Sequence, residues 1–449
     1  MIFTVGLVGG VVVGKTLWIV DHYALSPDMS GITRDFDLSK QLVKKGHKVT
    51  IFASGFDHVS KSYAKLDVDE RIKIEVYDGV QFVWLRTFPY YRNDFRRIMN
   101  MISYSVQVKR YASNFGRPDT IMGVTVHPLA ALAAWRLSRK LKAPFFLLVT
   151  DLWPEVLIDL GIIRKGSLVS RILYALESFL CSKAEGIIVV LPYGAEYMIR
   201  RGIEREKVFW LPNGVDLERF KNPRNPDRSY QITELLEKNR DKFKVMYAGA
   251  HGIPNGLDVV LDAAKLIKEV SDNICFFFVG EGTEKQRLKE RARELNLDNV
   301  MFCDAVPKID MPLILAQADC FVVSVPGSDS PRFGISLNKL FDYMASAKPI
   351  VMAGMPRNNL VAEANCGIVV EPDNPNALAK GILRIWELTE NERQRLGMNG
   401  RRFVEKYYDM KVLADRLEAI LGWGTEGKDI NVNLEKAEPS CSHSDDFSA

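Results

Sequence analysis

The sequence lacks several features that would assign it to common classes of protein. Its six cysteines stand singly, with no C-x-x-C pair, which argues against a zinc site or a disulfide framework and indicates buried, reduced thiols. The formal net charge over 449 residues is only +4, which does not favour nucleic acid as a partner. The chain does not open on the basic segment that a signal peptide requires. An N-terminal membrane anchor remains an unfavoured alternative, because Lys15 and several glycines interrupt the first apolar stretch.

Short apolar runs alternate with amphipathic stretches along almost the whole chain. FFLLV (145–149), FKVMYAG (243–249) and PIVMAG (349–354) have the length of buried strands, whereas residues 256–270 repeat apolar side chains at helical spacing. Such alternation indicates parallel sheets covered by helices on both faces. About thirteen candidate strands are too many for one ordinary open sheet, so we predict an α/β fold of two doubly wound domains. The break falls near residues 211–231, where Pro, Asn and Gly cluster.

Each half of the chain contains a strand, a glycine turn and a helix in succession, an arrangement in which backbone amides and a helix N-terminus can hold an anion. The first is at Ser30 and Gly31, and the second half has YAGAHGIPNGLD (247–258) and VGEGTE (279–284). Thr283 and Gln286 have the spacing of a capping box for the helix that follows. Glycine turns alone are weak evidence for a site, because every α/β protein has turns at strand ends.

The segment GGVVVGKT (9–16) matches the Walker A pattern of P-loop nucleotidases. A P-loop must open a helix directly after its Lys-Thr, because the helix N-terminus holds the phosphate. Here LWIVDHY (17–23) follows and is typical of a strand, and three valines are ill suited to a tight phosphate loop. A P-loop nucleotidase is therefore kept only as an unlikely alternative.

Five motifs in one order resemble those of the retaining glycosyltransferases of family 4, and more narrowly the branch that builds bacterial O-antigen and capsular polysaccharides. The similarity runs from about residue 16 to residue 423. The motifs are VTDLWPE (149–155), LPNGVDLERF (211–220), YAGAHGIPNGLDVVLDAA (247–264), FVGEGTEKQRL (278–288) and GISLNKLFDYMASAKPIV (334–351).

The resemblance implies the GT-B architecture, in which two Rossmann-like domains face a cleft. Residues 1–213 would form the acceptor-binding domain and 214–404 the nucleotide-sugar-binding domain, with a helix in 405–424 returning to the first domain. Residues 425–449 contain few apolar residues and are predicted to be a disordered tail.

The function implied by the resemblance is transfer of a hexosyl or N-acetylhexosaminyl group, with retention, from a UDP-sugar to a polyprenyl-diphosphate-linked glycan acceptor in surface polysaccharide biosynthesis. No His/Cys cluster argues for a bound cation, so neither a metal nor another cofactor is expected. Such an enzyme would be cytoplasmic and peripheral on the inner face of the cell membrane. A GT-B epimerase and a catalytically inactive binding subunit remain alternatives. Release of free nucleotide only on addition of an acceptor would distinguish transfer from both.

The resemblance also implies a donor site. Asp342 would bind the ribose hydroxyls, and Lys339, one turn earlier on the same helix face, could place its charge on the leaving diphosphate. The other predicted donor-site residues lie in the turns or near the start of that helix: Gly31, His251, Gly252, Gly280, Glu281, Gly282, Arg332, Ser336 and Asn338.

Three positions depart from the family pattern. Many members have an acid where Gly334 stands, and an Arg and a Lys where Ala250 and Asn255 stand. Lys339, assisted by Arg332, His251 and the turn amides, would then have to supply most of the positive charge.

On the acceptor side, Asp151 follows a strand and would interact with the acceptor hydroxyl, with the option of accepting its proton. His127 is a second catalytic candidate and His22 a third, whereas Glu155 is as readily explained as a helix-start acid. Residues 86–117 hold seven basic residues and one acid among aromatics and methionines. Such a patch in the N-terminal domain is suited to an anionic membrane surface, although an ordinary solvated helix explains it as well.

Overall fold

A computed structural model describes residues 14–423, apart from 93, 160, 222, 224–229 and 328–331. The predicted tail, 425–449, and residues 9–13 of the Walker-like segment lie outside the described residues.

The described part of the chain contains sixteen strands and sixteen α-helices. The strands are β1 (Thr16–Val20), β2 (Lys48–Ser54), β3 (Phe56–Asp57), β4 (Ser62–Tyr63), β5 (Ile72–Tyr77), β6 (Val80–Leu85), β7 (Thr120–Val124), β8 (Phe145–Val149), β9 (Gly186–Val189), β10 (Val208–Trp210), β11 (Phe243–Ala248), β12 (Ile274–Val279), β13 (Val300–Cys303), β14 (Cys320–Ser324), β15 (Ile350–Ala353) and β16 (Gly367–Val370). The helices are α1 (Arg34–Lys44), α2 (Phe95–Tyr111), α3 (Pro128–Leu141), α4 (Glu155–Asp159), α5 (Leu168–Lys183), α6 (Gly194–Arg200), α7 (Glu218–Lys221), α8 (Gln231–Lys238), α9 (Asp258–Lys268), α10 (Lys285–Glu294), α11 (Met311–Ala316), α12 (Asn338–Ala345), α13 (Leu360–Glu363), α14 (Pro375–Glu387), α15 (Glu390–Tyr407) and α16 (Met410–Ile420).

Two separate sheets confirm the predicted α/β fold. The first has the order β10-β9-β8-β7-β1-β2-β6-β5 and is parallel except for β5, which pairs antiparallel with β6. The second is parallel throughout, in the order β13-β12-β11-β14-β15-β16. Numbered from its own first strand, that is the Rossmann order 3-2-1-4-5-6. Central strands such as β7 and β12 are buried along their whole length because helices cover both faces.

Each sheet has a topological switch point, where the strand order reverses and open α/β sheets bind ligands at the carboxyl ends of the strands. In the first sheet it lies between β1 and β7, and in the second between β11 and β14.

The last helix returns to the first sheet, as predicted. Met410, Leu413 and Leu417 of α16 are buried in one cluster with Leu17 and Ile19 of β1. His47, directly before β2, lies 2.6 Å from Glu418 of the same helix. The domain limits at residues 213 and 404 stay predictions.

The structure also confirms the argument made above against a P-loop. Lys15 is followed directly by β1 and not by a helix, and its backbone N–H donates to Nδ1 of His47 at 3.0 Å. Five of the six cysteines are free and buried, as the sequence predicts, and Cys441 lies outside the described residues. Within the described residues, no helix has both the length and the apolar character needed to cross a membrane.

Candidate active site

Two glycine turns pack against each other at the carboxyl ends of β11 and β12. A side chain on Gly280 would place its Cβ 2.1 Å from the carbonyl oxygen of Gly249, and one on Gly282 would place it 2.2 Å from that of His251. The backbone N–H of His251 also donates to the carbonyl of Glu281 at 2.8 Å. Glycine is therefore required at both positions, and the two turns hold each other in place beside the switch point of the second sheet.

Lys339, near the start of α12, lies against the first of these turns. Its ammonium donates to the hydroxyl of Tyr247 at 2.7 Å and to the side-chain oxygen of Asn255. Both partners are neutral, and desolvation by burial lowers the pKa of Lys339 to about 7. The hydroxyl of Tyr247 in turn donates to the carbonyl of Ala250 at 2.7 Å. This arrangement presents a cation that an anion could stabilise further.

Two buried polar side chains without a partner also lie at this switch point. His251 is fully buried, and neither ring nitrogen has a hydrogen-bond partner. Burial, followed by the positive charges of Lys285 and Lys339, lowers its pKa to about 4, so the ring is neutral at pH 7. The hydroxyl of Ser324, at the end of β14, is likewise buried and unpaired. Buried polar groups of this kind are costly unless something binds them.

Asp342, one turn after Lys339, is not free. Its carboxylate forms an ion pair with Lys308. The backbone N–H of Lys308 donates to the carbonyl of Met29 at 3.1 Å, so the loop around Gly31 reaches the second sheet at this point. Binding of ribose by Asp342 and a ligand role for Gly31 stay predictions.

The remaining predicted donor residues divide into two groups. Gly252, Gly280, Glu281 and Gly282 lie in the two turns, where Glu281 accepts a hydrogen bond from Lys285 at 2.6 Å. The others lie near the start of α12. There Ser336 accepts from the backbone N–H of Asn213, Asn338 begins the helix, and Arg332 lies 3.2 Å from Asp159 and 3.6 Å from Glu155. Arg332 is therefore paired with acids of α4 and does not join Lys339 at the turns.

The backbone at Gly334 disfavours the acidic side chain that the resemblance implies for this position. Its φ is +79°, which disfavours any residue with a side chain. A Cβ there would lie 2.5 Å from the side-chain oxygen of Asn358 and 2.7 Å from Pro192. Asn358 and Pro192, which come from the two halves of the chain, therefore occupy the space that an acidic side chain would need.

Introducing the family acid by Gly334→Glu is expected to lower the thermal midpoint and not to raise activity, because the side chain would displace Asn358 and Pro192. Backbone strain alone costs about 1–2 kcal/mol. Differential scanning fluorimetry measures the loss, with Gly422→Glu as the control, since nothing lies within 4 Å of a Cβ at that left-handed glycine. A Gly334→Glu variant as stable as this control would contradict the steric explanation.

The two histidines predicted for the acceptor side meet at the switch point of the first sheet. Nδ1 of His22 lies 2.7 Å from Nε2 of His127, and Nδ1 of His127 accepts the backbone N–H of Ala130 at 3.2 Å, which caps α3. Both rings are buried, and desolvation lowers the pKa of His127 to about 3. Both nitrogens of His127 are thus engaged, and its catalytic role stays a prediction.

Asp151 follows the end of β8 and is exposed at the rim of a small cavity that Thr125 and Trp153 also line. Surrounding protein atoms desolvate its carboxylate and raise its pKa. A raised pKa suits a carboxylate that accepts a proton, and a catalytic role for Asp151 stays a prediction.

The residues that sequence reasoning missed are the partners of the predicted ones. Tyr247 and Asn255 orient Lys339, and Lys308 neutralises Asp342. The motif YAGAHGIPNGLD (247–258) begins with Tyr247, but nothing in the sequence around Lys308 marks it as a site residue. Within the described ranges, no three His, Cys, Asp or Glu side chains converge as metal ligands would.

Comparisons with known proteins support the fold described above. The Glycosyltransferase Family 4 model matches residues 36–219, and the model of Glycosyl transferases group 1 matches residues 231–403. The chain is 25% identical over 373 residues to the putative colanic acid biosynthesis glycosyl transferase WcaI of Escherichia coli K12, covering 80% of this chain and 89% of that protein. It is 26% identical over 298 residues to the probable glycosyltransferase WbjE of Pseudomonas aeruginosa, covering 65% and 71%.

Solved structures share the fold at lower identity. Sucrose-phosphate synthase from Thermosynechococcus elongatus superposes with a TM-score of 0.69 at 18% identity, over 90% of this chain and 98% of that one. Anabaena Alr3699/HepE in complex with UDP-glucose superposes with a TM-score of 0.65 at 15% identity, over 91% and 99%. At these identities, the structural likeness establishes the architecture alone.

Proposed function

We propose, from the premise that this chain is a glycosyltransferase of the GT-B fold, that it transfers a sugar with retention from a UDP-sugar to a lipid-linked glycan. The observation that carries the proposal is the half-buried ammonium of Lys339, which has two neutral partners beside two glycine turns. Desolvation of an ammonium with no opposite charge beside it is unfavourable, and a bound anion offsets that cost. The diphosphate of a nucleotide sugar supplies that charge at the switch point of a Rossmann sheet.

The choice of donor and pathway rests on the relatives. The name of WcaI places it in colanic acid biosynthesis, and HepE binds UDP-glucose. We extend both to this chain as surface polysaccharide biosynthesis with a UDP-linked hexosyl or N-acetylhexosaminyl donor. The acceptor is a glycan carried on a polyprenyl diphosphate.

In the proposed reaction, the bond between the anomeric carbon and the diphosphate oxygen breaks, and a bond to the acceptor oxygen forms on the same face. Lys339 stabilises the negative charge that develops on the leaving diphosphate. The acceptor hydroxyl loses its proton to the departing phosphate oxygen or to Asp151. No metal is required, so transfer is expected to persist in EDTA.

The deciding experiment incubates the protein and membranes containing lipid-linked glycans with a panel of uridine and guanosine diphosphate sugars. We expect incorporation from one uridine donor, and release of UDP only when the acceptor is present. Anomeric couplings in the NMR spectrum of the product then report retention or inversion. Interconversion of donors without acceptor would indicate an epimerase instead, and donor binding without any turnover would indicate an inactive binding subunit.

The pKa of about 7 for Lys339 predicts how nucleotide affinity depends on pH. The diphosphate binds the protonated amine and raises its pKa, so binding takes up a proton as pH rises above 7. The affinity for UDP is then expected to fall by up to about tenfold per pH unit between pH 7 and 9. Isothermal titration calorimetry measures this trend. A Lys339→Met variant should show a weaker dependence, and a flat profile in the natural protein would contradict a role for this amine.

In this function the enzyme lies on the cytoplasmic face of the membrane and contacts it through α2. Along this helix, Phe95, Ile98, Ile102 and Val106 are exposed at intervals of three or four residues. They form an apolar stripe along α2. Arg96, in the first turn of this helix, is exposed beside the stripe.

A Phe95→Ser/Ile102→Ser variant is expected to bind anionic vesicles at least about tenfold more weakly, since each apolar side chain that enters the bilayer contributes about 1.5–3 kcal/mol. Vesicle sedimentation at low salt measures binding. Val270→Ser serves as the control, because Val270 is also exposed but lies after α9. Failure of the natural protein to bind anionic vesicles would contradict the membrane proposal.

A further inference from the structure

A cluster of rings occupies the switch point of the first sheet and has no part in the donor site. His22 follows β1, is buried, and is stacked between Tyr23 and Tyr104 at centroid distances of 4.4 and 4.3 Å. His127, the N-cap of α3, joins it through the 2.7 Å contact between Nε2 of its ring and Nδ1 of His22. Ligands of open α/β sheets bind at such points.

Hydrogen bonding determines where the protons of this pair lie. The backbone N–H of Ala130 can only donate, so Nδ1 of His127 is unprotonated and its proton is on Nε2. That Nε2–H donates to Nδ1 of His22, which places the proton of His22 on its own Nε2. Burial lowers the pKa of both rings, which keeps both neutral. Nε2 of His22 is buried without a hydrogen-bond partner, so a donor is presented with nothing to accept it.

The surroundings of this donor are cationic. Arg97 lies seven residues before Tyr104 on α2, and therefore on the same helix face. Desolvation by burial lowers the pKa of both His22 and Lys61, and the positive charge of Arg97 lowers both further. Lys61 is half-buried, with its ammonium 4.2 Å from the centre of the Tyr90 ring.

His58 and Asp57 complete these surroundings. The ring of His58 packs on the ring of Tyr23, with 5.0 Å between the two ring centroids. The carboxylate of Asp57 accepts the backbone N–H groups of Val59 and Ser60, each at 3.0 Å. These two hydrogen bonds largely compensate the negative charge of Asp57 within its own turn. The surroundings of His22 therefore remain suited to binding an anion.

We infer that His22, Lys61 and Arg97 form a phosphate subsite in which the Nε2–H of His22 donates to a phosphate oxygen. His127 is a positioning residue, because it sets the tautomer of His22 from the N-terminus of α3. This inference rests on the proposed function, in which the acceptor is carried on a prenyl diphosphate. The apolar stripe of α2, which begins at Phe95, lies beside Arg97, so a prenyl chain on the membrane would reach the subsite with its diphosphate.

The tautomers are tested first, by long-range ¹H–¹⁵N NMR on protein labelled in its six histidines. We expect His22 and His127 to be neutral at pH 7, each with its proton on Nε2. His127→Asn retains an N-cap for α3 but is too short to reach His22. In that variant, His22 should show a mixture of tautomers without a fall in thermal midpoint. A proton on Nδ1 of His22 in the natural protein would overturn the relay.

Binding is tested by titration with inorganic pyrophosphate and with farnesyl diphosphate, with farnesol as the uncharged control. The Nε2 signal of His22 should shift with both anions and not with farnesol. Arg97→Gln and Lys61→Gln should each weaken the response at least fivefold. Arg139→Gln, the same change at an exposed position of α3, should leave it unchanged. A response to farnesyl diphosphate alone assigns the subsite to a lipid headgroup, and an equal response to both assigns it to phosphate in general.

No shift of His22 with either anion, or equal weakening by Arg139→Gln, would overturn the subsite. Neither measurement needs turnover. Loss of sugar transfer from every donor would therefore contradict the proposed function while leaving this result intact, and the two failures can be told apart.

Discussion

Replacing Lys339 by methionine is expected to lower kcat for sugar transfer about 10²–10³-fold, the usual effect of removing one donor that stabilises charge in a transition state. The loss is expected mainly in kcat, because the negative charge on the diphosphate increases as the glycosidic bond breaks. Initial rates with the donor found in the panel, at saturating acceptor, measure this effect.

Stability separates this loss from misfolding. Lys339 is a half-buried cation with neutral partners, so its replacement by an apolar side chain should leave the thermal midpoint unchanged or raise it. Lys265→Met, the same change at an exposed position of α9, should retain full activity. Transfer at the natural rate in Lys339→Met would show that Lys339 does not stabilise the leaving diphosphate, and would contradict the donor-site proposal.

Replacing Arg219 by methionine is expected to lower the free energy of unfolding by about 3–5 kcal/mol, because it leaves the carboxylate of Asp37 buried without its cation. Arg219, in α7, and Asp37, in α1, are 8% and 3% exposed and form an ion pair. The pair joins the helix after β1 to the segment that connects the two sheets. The urea midpoint of unfolding, followed by circular dichroism, measures the loss.

Two comparisons make this result specific. The double variant Asp37→Leu/Arg219→Met should recover much of the stability, since no buried charge is left unpaired. Arg240→Met removes one partner of a pair that is about 70% exposed on both sides, and should change stability by less than about 0.5 kcal/mol. If Arg219→Met behaved like Arg240→Met, the ion pair would not hold the connecting segment in place.

The turns of the second sheet show both the reach and the limit of local sequence patterns. The glycines in YAGAHG and VGEGTE predicted turns that could hold an anion, which stays a prediction; the structure shows that the two turns pack against each other. The capping box predicted from Thr283 and Gln286 was wrong, since α10 begins at Lys285, with Glu284 as its N-cap and no side-chain cap. The backbone N–H of Glu284 donates instead to the carbonyl of His251 at 2.9 Å. A hydrogen bond to the neighbouring turn therefore takes the place of the side-chain cap that the sequence predicted for α10.

Helix α12 shows the same limit of local sequence patterns for side-chain contacts. The motif around GISLNKLFDY placed Lys339 and Asp342 on one helix face, and helical periodicity was sufficient for that. It did not predict that Lys308, 34 residues away, neutralises Asp342. Nor did it predict that Asn255 accepts a hydrogen bond from the ammonium of Lys339.

By itself, the sequence determined the alternation of buried strands and amphipathic helices, and hence two parallel sheets, because hydrophobic period and strand length are local properties of the chain. It also argued against a P-loop at GGVVVGKT, since the run after Lys15 has the pattern of a strand. Only the tertiary structure decided which charged and polar groups meet. The contacts of His22 with His127, of Arg219 with Asp37 and of Gly334 with Pro192 join residues more than a hundred positions apart. Such contacts depend on how elements distant in the chain pack together, which no local pattern encodes.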